Sequence, residues 1–335
     1  MGSHRRLAPS GFDRGALGVL SVATAAFGAL AAVPAPAAPL DDTRAEVDRL
    51  YEQAEKATEA FNEAAERTGT LRRQVGEAQD RVARQQARVN DLRERLGAFA
   101  GAQYRTGGLD PTLALLFSDD PADYLDRALT LDRITLHQAG ELKDLQGALR
   151  ELAQERTEAL RRLGELDKSR RAVAAHKQSV EQKLARARQL LNSLPSAERA
   201  AFDRASRSGR GHLSGPGAAA SGRAAAALAA ARSALGKPYV WGANGPTGFD
   251  CSGLVQWSYA QAGLSLPRTS QAQAHAGHRV PLSQARPGDI VTYRSDASHV
   301  GMYVGDGQVI HAPYPGAPVR YDPVGMMPVS SVTRP

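Results

Sequence analysis

From Val47 onward the chain places a residue of one kind at every third or fourth position, 47, 50, 54, 57, 61, 64, 68, 71, 75, 78, 82, 85, 89, 92, 96 and 99. All are apolar except Thr68 and Gln85. A repeat averaging 3.5 residues and sustained this long is the seam of a left-handed coiled coil, because only a helix brings such positions onto one stripe. Residues 42–104 therefore predict a single helix about 90 Å long at 1.5 Å per residue. The count restarts at Leu142 and runs through Leu145, Leu149, Leu152, Ala159, Leu163, Leu166, Val173, Val180, Leu184, Ala187, Leu191 and Leu194, with Arg156, Arg170 and Lys177 as its exceptions. Between the two stretches lie the breakers Gly107, Gly108, Pro111 and Pro121, so the helices should fold back on each other. The expectation is an antiparallel coiled-coil hairpin over residues 41–205 with an apolar tip at 107–127. A plain spacer or dimerisation rod is the bland alternative. Against it, Leu113, Leu115, Leu116, Phe117, Tyr124 and Leu125 put more large apolar groups at the tip than a turn needs, which suits a docking surface.

The flanks of the hairpin have different compositions. Arg5, Arg6 and Arg14 precede an apolar stretch over 16–33 that runs into Pro34-Ala35-Pro36-Ala37-Ala38-Pro39, the order of a secretory signal. Residues 1–38 are expected to act as that signal, with an uncleaved membrane anchor as the alternative. Past the hairpin, Ser206-Arg207-Ser208-Gly209-Arg210-Gly211 and Ser214-Gly215-Pro216-Gly217 make 206–222 a flexible linker spanning about 20 to 25 Å. Nine aromatic residues, both tryptophans among them, lie from Tyr239 to Tyr321, which places a globular domain at 223–323 and leaves 324–335 as a tail. The net charge of +7 suits an anionic partner such as nucleic acid, a membrane surface or a wall polymer, and by itself names no function. Export, mixed charge along the helices and the lack of an Arg/Lys patch oppose nucleic acid.

Cys251 is the one cysteine, which excludes an intrachain disulfide and a Cys-based zinc cluster. In Phe249-Asp250-Cys251-Ser252-Gly253-Leu254-Val255, Asp250 reads as the cap of a helix whose first turn holds Cys251. Unpaired N–H groups and the positive end of the helix dipole would lower the pKa of a thiol there and make it a nucleophile near neutral pH. Among the downstream histidines, His275 and His278 lie in a polar segment and read as surface residues, whereas His299 opens an apolar strand that can hold an imidazole in a fixed orientation. The role of His311 turns on hairpin register. A three-residue loop Gly305-Asp306-Gly307, with Gly307 left-handed, pairs Gly301 with His311 and puts His299 and His311 on one face. A two-residue Asp306-Gly307 turn pairs Met302 with His311 and sends that ring to the other face. The three-residue loop is preferred because it completes a nucleophile, base and orienter set of Cys251, His299 and His311, with Asp296 and Asp306 as fallback orienters.

The segments Pro238-Tyr239-Val240-Trp241-Gly242, Asp250-Cys251-Ser252-Gly253-Leu254-Val255, Leu266-Pro267-Arg268-Thr269-Ser270, Pro287-Gly288-Asp289 and Ser298-His299-Val300-Gly301-Met302-Tyr303 resemble the NlpC/p60 family of cell-wall cysteine peptidases. The resemblance implies a papain-like α+β fold and cleavage of peptidoglycan stem peptides, typically between D-glutamate and the diamino acid, with no cofactor and no metal. It also implies Cys251 as nucleophile, His299 as base, His311 as third polar residue, and Tyr239, Asp250, Ser252 and Arg268 as substrate-binding residues. Gly242-Ala243-Asn244-Gly245-Pro246 departs from the family, where a second glycine often follows Trp-Gly. The segment from Tyr104 to Arg127 resembles the coiled-coil arm of exported murein hydrolases, which implies a membrane regulator of the FtsEX type at the tip. An N-acetylmuramoyl-L-alanine amidase on the same fold, and a non-catalytic activator or docking protein, are the alternative readings.

Overall fold

A computed structural model describes residues 40–105, 121–200 and 221–335. The signal reading for 1–38, most of the tip and nearly all of the linker lie outside these residues. Helix α1 spans Leu40–Arg105 and helix α2 spans Pro121–Ser193. They run antiparallel. Thr68 Oγ1 lies 2.9 Å from Ser169 Oγ, Arg81 is 2.9 Å from Glu155, and Arg95 is 3.6 Å from Glu141. Along α1 the expected seam is buried at Val47, Leu50, Ala54, Leu71, Val75, Ala78, Val89 and Leu92. No helix among the described residues is long and apolar enough to cross a membrane.

The seam of α2 departs from the expected count. Ala148, Leu152, Leu166, Ser169 and Val180 are buried, whereas Leu149 and Leu163 are exposed. The stripe steps through 145, 148, 152, 159, 166, 169, 173 and 180, so Arg156, Arg170 and Lys177 are not interruptions of it but lie outside it in solvent. The reason is what α1 presents. Opposite Ser169 stands Thr68, whose hydroxyl donates to the Ala64 carbonyl oxygen and accepts from Ser169 at 2.9 Å. Opposite Ala148, Gln85 donates to its carbonyl oxygen at 3.2 Å.

The C-terminal domain packs α3 (Gly222–Ser233) and α4 (Cys251–Gln261), with the short α5 (Ser270–Gln273), against an antiparallel sheet. Its strands are β1 (His278–Val280), β2 (Ile290–Tyr293), β3 (His299–Gly305), β4 (Gln308–His311), β5 (Arg320–Pro323) and β6 (Val329–Arg334), in the order β1-β6-β2-β3-β4-β5. This is the expected α+β organisation. Alternation sorts the side chains: Val300, Met302, Val304 and Ile310 join Leu228, Leu254, Val255 and Tyr259 in the main core, while Val291, Tyr293, Val309 and Val332 form a second cluster on the other face. Burying the largest of these side chains stabilises the domain by roughly 1.5–3 kcal/mol each.

Two sequence expectations need correction here. Residues 324–335 do not form a tail, because Val329–Arg334 is strand β6, hydrogen-bonded between β1 and β2, with Val332 and Thr333 buried. The β3–β4 loop is also not the three-residue form. Gly305 pairs with Gln308 across a two-residue turn of Asp306 and Gly307, whose φ angles are +52° and +66°. A bulge between Tyr303 and Gly305 adds the missing residue, so Met302 pairs with Ile310, and Gly301 faces His311 as anticipated. A Cβ on Gly301 would lie 3.2 Å from that of His311.

Candidate active site

Cys251 opens α4, and Asp250 caps it by accepting from the Gly253 N–H at 2.7 Å. Asp250 is fully buried and its carboxylate is saturated: it accepts from Arg268 at 2.6 and 3.0 Å, from the Gly242 N–H at 2.9 Å, and from Asn62 at 3.1 Å. A buried carboxylate is tolerable only when paired and hydrogen-bonded in this way, so Asp250 and Arg268 together lock the loop at 242–244 to the helix start. Gly253 is required at the same junction, since a Cβ there would stand 2.2 Å from the Ala243 carbonyl oxygen, which already accepts from the Asp250 N–H.

On the sheet, His299 opens β3 and is fully buried beside the Tyr293 ring. Its Nε2 lies 2.8 Å from His311 Nδ1, with the two rings perpendicular. His311 Nε2 in turn lies 2.8 Å from Asp322 Oδ2, to which Arg320 Nε donates at 2.7 Å. The orienting carboxylate is therefore neither Asp296 nor Asp306. Asp296 accepts from the Ser298 N–H and pairs with Lys56, and Asp306 sits in the turn. His275 and His278 are exposed, as expected.

The cleft between these elements is occupied by α1. Besides its seam, α1 carries a second stripe of Tyr51, Glu55, Thr58, Glu59 and Asn62, all buried. Glu59 accepts from Ser252 Oγ at 2.7 Å and from the Ser270 N–H at 2.8 Å, and the Cys251 thiol points to it at 3.7 Å. Glu55 accepts from Arg294 at 2.6 Å and lies 3.6 Å from His299 Nδ1. Apolar contacts flank the carboxylates: Tyr51 stacks on Tyr314 at 5.0 Å, and Phe61 meets Trp241 edge-on at 5.2 Å. His299 Nδ1 makes no hydrogen bond, so thiol and imidazole are not engaged with each other while the helix is seated.

The electrostatics follow from that occupation. Burial, then the charges of Glu59, Asp250 and Glu55, push the Cys251 thiol well above its usual value, against the lowering expected from the helix start alone. Burial, then the Asp250 charge, raises Glu59 to about 7. Burial would raise Glu55 as well, but His299 and Arg294 outweigh it and hold that carboxylate low. Burial lowers His311 to about 4, which keeps the ring neutral.

The structure thus brings Cys251, Ser252, Asp250 and Arg268 into one cluster and His299 with His311 into another, with Glu55 and Glu59 reaching both. Tyr239 is buried, its hydroxyl pushed up by burial and then by the nearby thiol. Sequence reasoning missed Glu55, Glu59, Asn62, Ser270, Arg294 and Asp322. The acidic residues of α1 look like any solvated face of a long helix. Only Thr58 and Asn62, poor helix formers directly beside the seam, hint at a second contact stripe.

A model of the NlpC/P60 family matches residues 236–332. The "Probable endopeptidase Rv2190c" of Mycobacterium tuberculosis is 34% identical over 364 residues, covering 93% of each chain. The "Probable endopeptidase p60" of Listeria monocytogenes is 55% identical over 97 residues, 28% of this chain and 20% of that one. Among solved structures, Rv1477, titled a hypothetical invasion protein of Mycobacterium tuberculosis, is 33% identical over 36% of this chain and 69% of that chain, with a TM-score of 0.32.

Proposed function

The chain belongs to the NlpC/P60 family and is a cysteine peptidase, and from that premise we propose that it is an exported peptidoglycan endopeptidase that cuts stem peptides between D-glutamate and the diamino acid. The observation that carries the reading is the pair of clusters that α1 bridges: a thiol at a helix start, 3.7 Å from Glu59, and a buried histidine chain whose His299 lies 3.6 Å from Glu55, one helical turn away. The substrate assignment draws support from Glu59. Its carboxylate sits between the Ser252 hydroxyl and the Ser270 N–H, one residue from the nucleophile, with Arg268 close by. A stem peptide presents a free carboxylate next to the γ-linked amide to be cut, and the same donors would receive it.

In the open enzyme His299 Nδ1 takes the thiol proton, and Cys251 Sγ attacks the amide carbonyl carbon. The oxyanion is met by first-turn N–H groups of α4 that lack intrahelical partners. His299 gives the proton to the leaving amine as the C–N bond breaks, leaving a thioester. Water, deprotonated by His299, attacks that thioester. The C–S bond then breaks, the acid leaves and the thiol is restored.

In the closed state the hairpin holds the enzyme latent, because α1 fills the cleft and gives thiol and imidazole a carboxylate each. Release would come from a membrane regulator of the FtsEX type pulling at the distal end. Exposed Leu125, Leu129 and Leu136 near the start of α2 support a docking surface there. Muropeptide mass spectrometry of peptidoglycan treated with the full chain, with a Glu55→Ala/Glu59→Ala chain and with Cys251→Ala tests the reading. The expected product carries a free amino group on the diamino acid, made fastest by the double variant and not by Cys251→Ala. Stem peptides released with a free N-terminal alanine would show an amidase instead, and equal products from Cys251→Ala would show that the cysteine is not the nucleophile.

A further inference from the structure

A histidine in third place leaves the base's tautomer undetermined. The imidazole of His311 can accept from His299 Nε2–H through Nδ1, or donate to that same nitrogen from Nδ1–H. The two arrangements have opposite chemical consequences. In the first, His299 carries its proton on Nε2 and offers the Nδ1 lone pair to the thiol. In the second, the proton of neutral His299 is forced onto Nδ1, and the ring cannot accept from Cys251. A carboxylate in place of His311 would accept only, and the ambiguity would not arise.

We infer that Asp322, clamped by Arg320, is a positioning residue for the catalytic base: by accepting from His311 Nε2–H it fixes both histidine tautomers in the orientation that lets His299 take the thiol proton. This rests on the reading of Cys251 and His299 as nucleophile and base. The geometry supports each link. His311 Nε2 and Arg320 Nε both converge on Asp322 Oδ2, at 2.8 and 2.7 Å, so that oxygen is the acceptor for two donors. The strand register sets the arrangement: His311 pairs with Arg320 and Val309 with Asp322, which puts His311, Arg320 and Asp322 on one face of β4 and β5. The His311 ring is neutral, as its burial requires, so it has one proton to place, and the acceptor-only carboxylate claims it at Nε2. Nδ1 is then a bare lone pair 2.8 Å from His299 Nε2, which must be the donor of that bond. When His299 becomes imidazolium during the reaction, the same chain lines its new charge up with a carboxylate two rings away. No proton need leave His311 for this.

The test compares full chains carrying Asp322→Leu, which removes the acceptor at similar volume, and Asp322→Asn, whose amide oxygen can still accept. The first readout is the ¹⁵N shifts of the His299 and His311 rings at pH 7.5. In the Glu55→Ala/Glu59→Ala background, where no carboxylate faces His299 Nδ1, the parent and Asp322→Asn should show both rings protonated on Nε2, and Asp322→Leu should populate the Nδ1–H forms. The second is stem-peptide hydrolysis in the Glu55→Ala/Glu59→Ala background. There Asp322→Leu should lower kcat about 10- to 100-fold with KM unchanged, and Asp322→Asn should recover most of it. Unchanged ring tautomers in Asp322→Leu, a kcat within about twofold of the parent, or a loss expressed in KM would each overturn the inference. The NMR comparison stands even if no stem peptide is cut, so failure of the substrate assignment and failure of the Asp322 assignment are separable.

Discussion

Truncating Glu55 to alanine should open the cleft. In the closed chain this carboxylate bonds Arg294 at 2.6 Å and faces His299 at 3.6 Å, with itself 3% exposed. Truncating one partner of a buried, hydrogen-bonded charge pair costs about 2–5 kcal/mol of association. Glu59 makes two charged hydrogen bonds, together about 3–6 kcal/mol. Its rise from a free value near 4.3 to about 7 is net of those bonds and means that its charged form docks less well than its neutral form, by on the order of 3 kcal/mol. Glu55 is held low and carries its charge into the closed state without that penalty, so Glu55 rather than Glu59 holds the latch above pH 7. Glu55→Ala should then shift the closed-to-open ratio by about 30- to 4,000-fold, since each 1.4 kcal/mol is a factor of ten. Cys251 is the only cysteine and is 1% exposed, so its alkylation by iodoacetamide, corrected for the thiolate fraction that the Glu55 charge itself depresses, reports the open fraction. Tyr51→Ala, which removes an uncharged contact of the same docking face, should raise the rate too, while exposed Glu63→Ala should not. A Glu55→Ala rate within threefold of wild type, with the helical circular dichroism unchanged, would refute the latch.

Other outcomes are as definite. Glu59 is raised in the closed state, so its contribution to docking is complete below about pH 4 and drains away as pH rises through 7. Wild-type alkylation, corrected for thiolate fraction, should therefore climb between pH 5.5 and 8 more steeply than that of Glu59→Gln, and parallel curves would count against it. Gly253→Ala should cost several kcal/mol and lower the Tm of the C-terminal domain by well over 10 °C in calorimetry, because the new methyl meets the Ala243 carbonyl; an unshifted transition would contradict the packing. Asp250→Ala strands the Arg268 guanidinium and should destabilise the domain by about 3–5 kcal/mol in urea melts, whereas the Asp250→Ala/Arg268→Leu pair should recover part of that loss.

What could be read from the chain, and what could not, divides along physical lines. The seam of α1, the helix start at Cys251 with its Asp250 cap, and the pairing of Gly301 with His311 are local or periodic features, and each is legible in residue spacing. The register came out correctly for an incomplete reason: the bulge between Tyr303 and Gly305, not a longer loop, supplies the odd residue. The α2 seam was misread by one position because leucines at 149 and 163 outweighed Ala148 and Ser169 on hydrophobicity, while the choice is made by what α1 sets opposite. The contacts of Glu55 and Glu59 join positions some 190 to 240 residues apart, and an acidic side chain on a helix says nothing of what lies across from it. Strand β6 has only Val329 and Val332 as apolar markers among Ser330, Ser331 and Thr333, too few for its pattern to stand out from a polar end.

The position of β6 has a consequence for how the molecule comes into being. It lies between β1 and β2, so those two strands, encoded some fifty and forty residues earlier, have no complete sheet to join until residues 329–334 arrive. The hairpin needs nothing from that region, since its seam contacts lie within α1 and α2. Helical contacts also form faster than long-range strand pairing. A chain made from its N-terminus therefore meets its own α1 before it has a finished catalytic sheet, and the cleft closes on the hairpin as it assembles. Under the proposed latency, the off state would be a property of birth order: the enzyme would not have to be switched off, because the helix is in place before the catalytic sheet is complete.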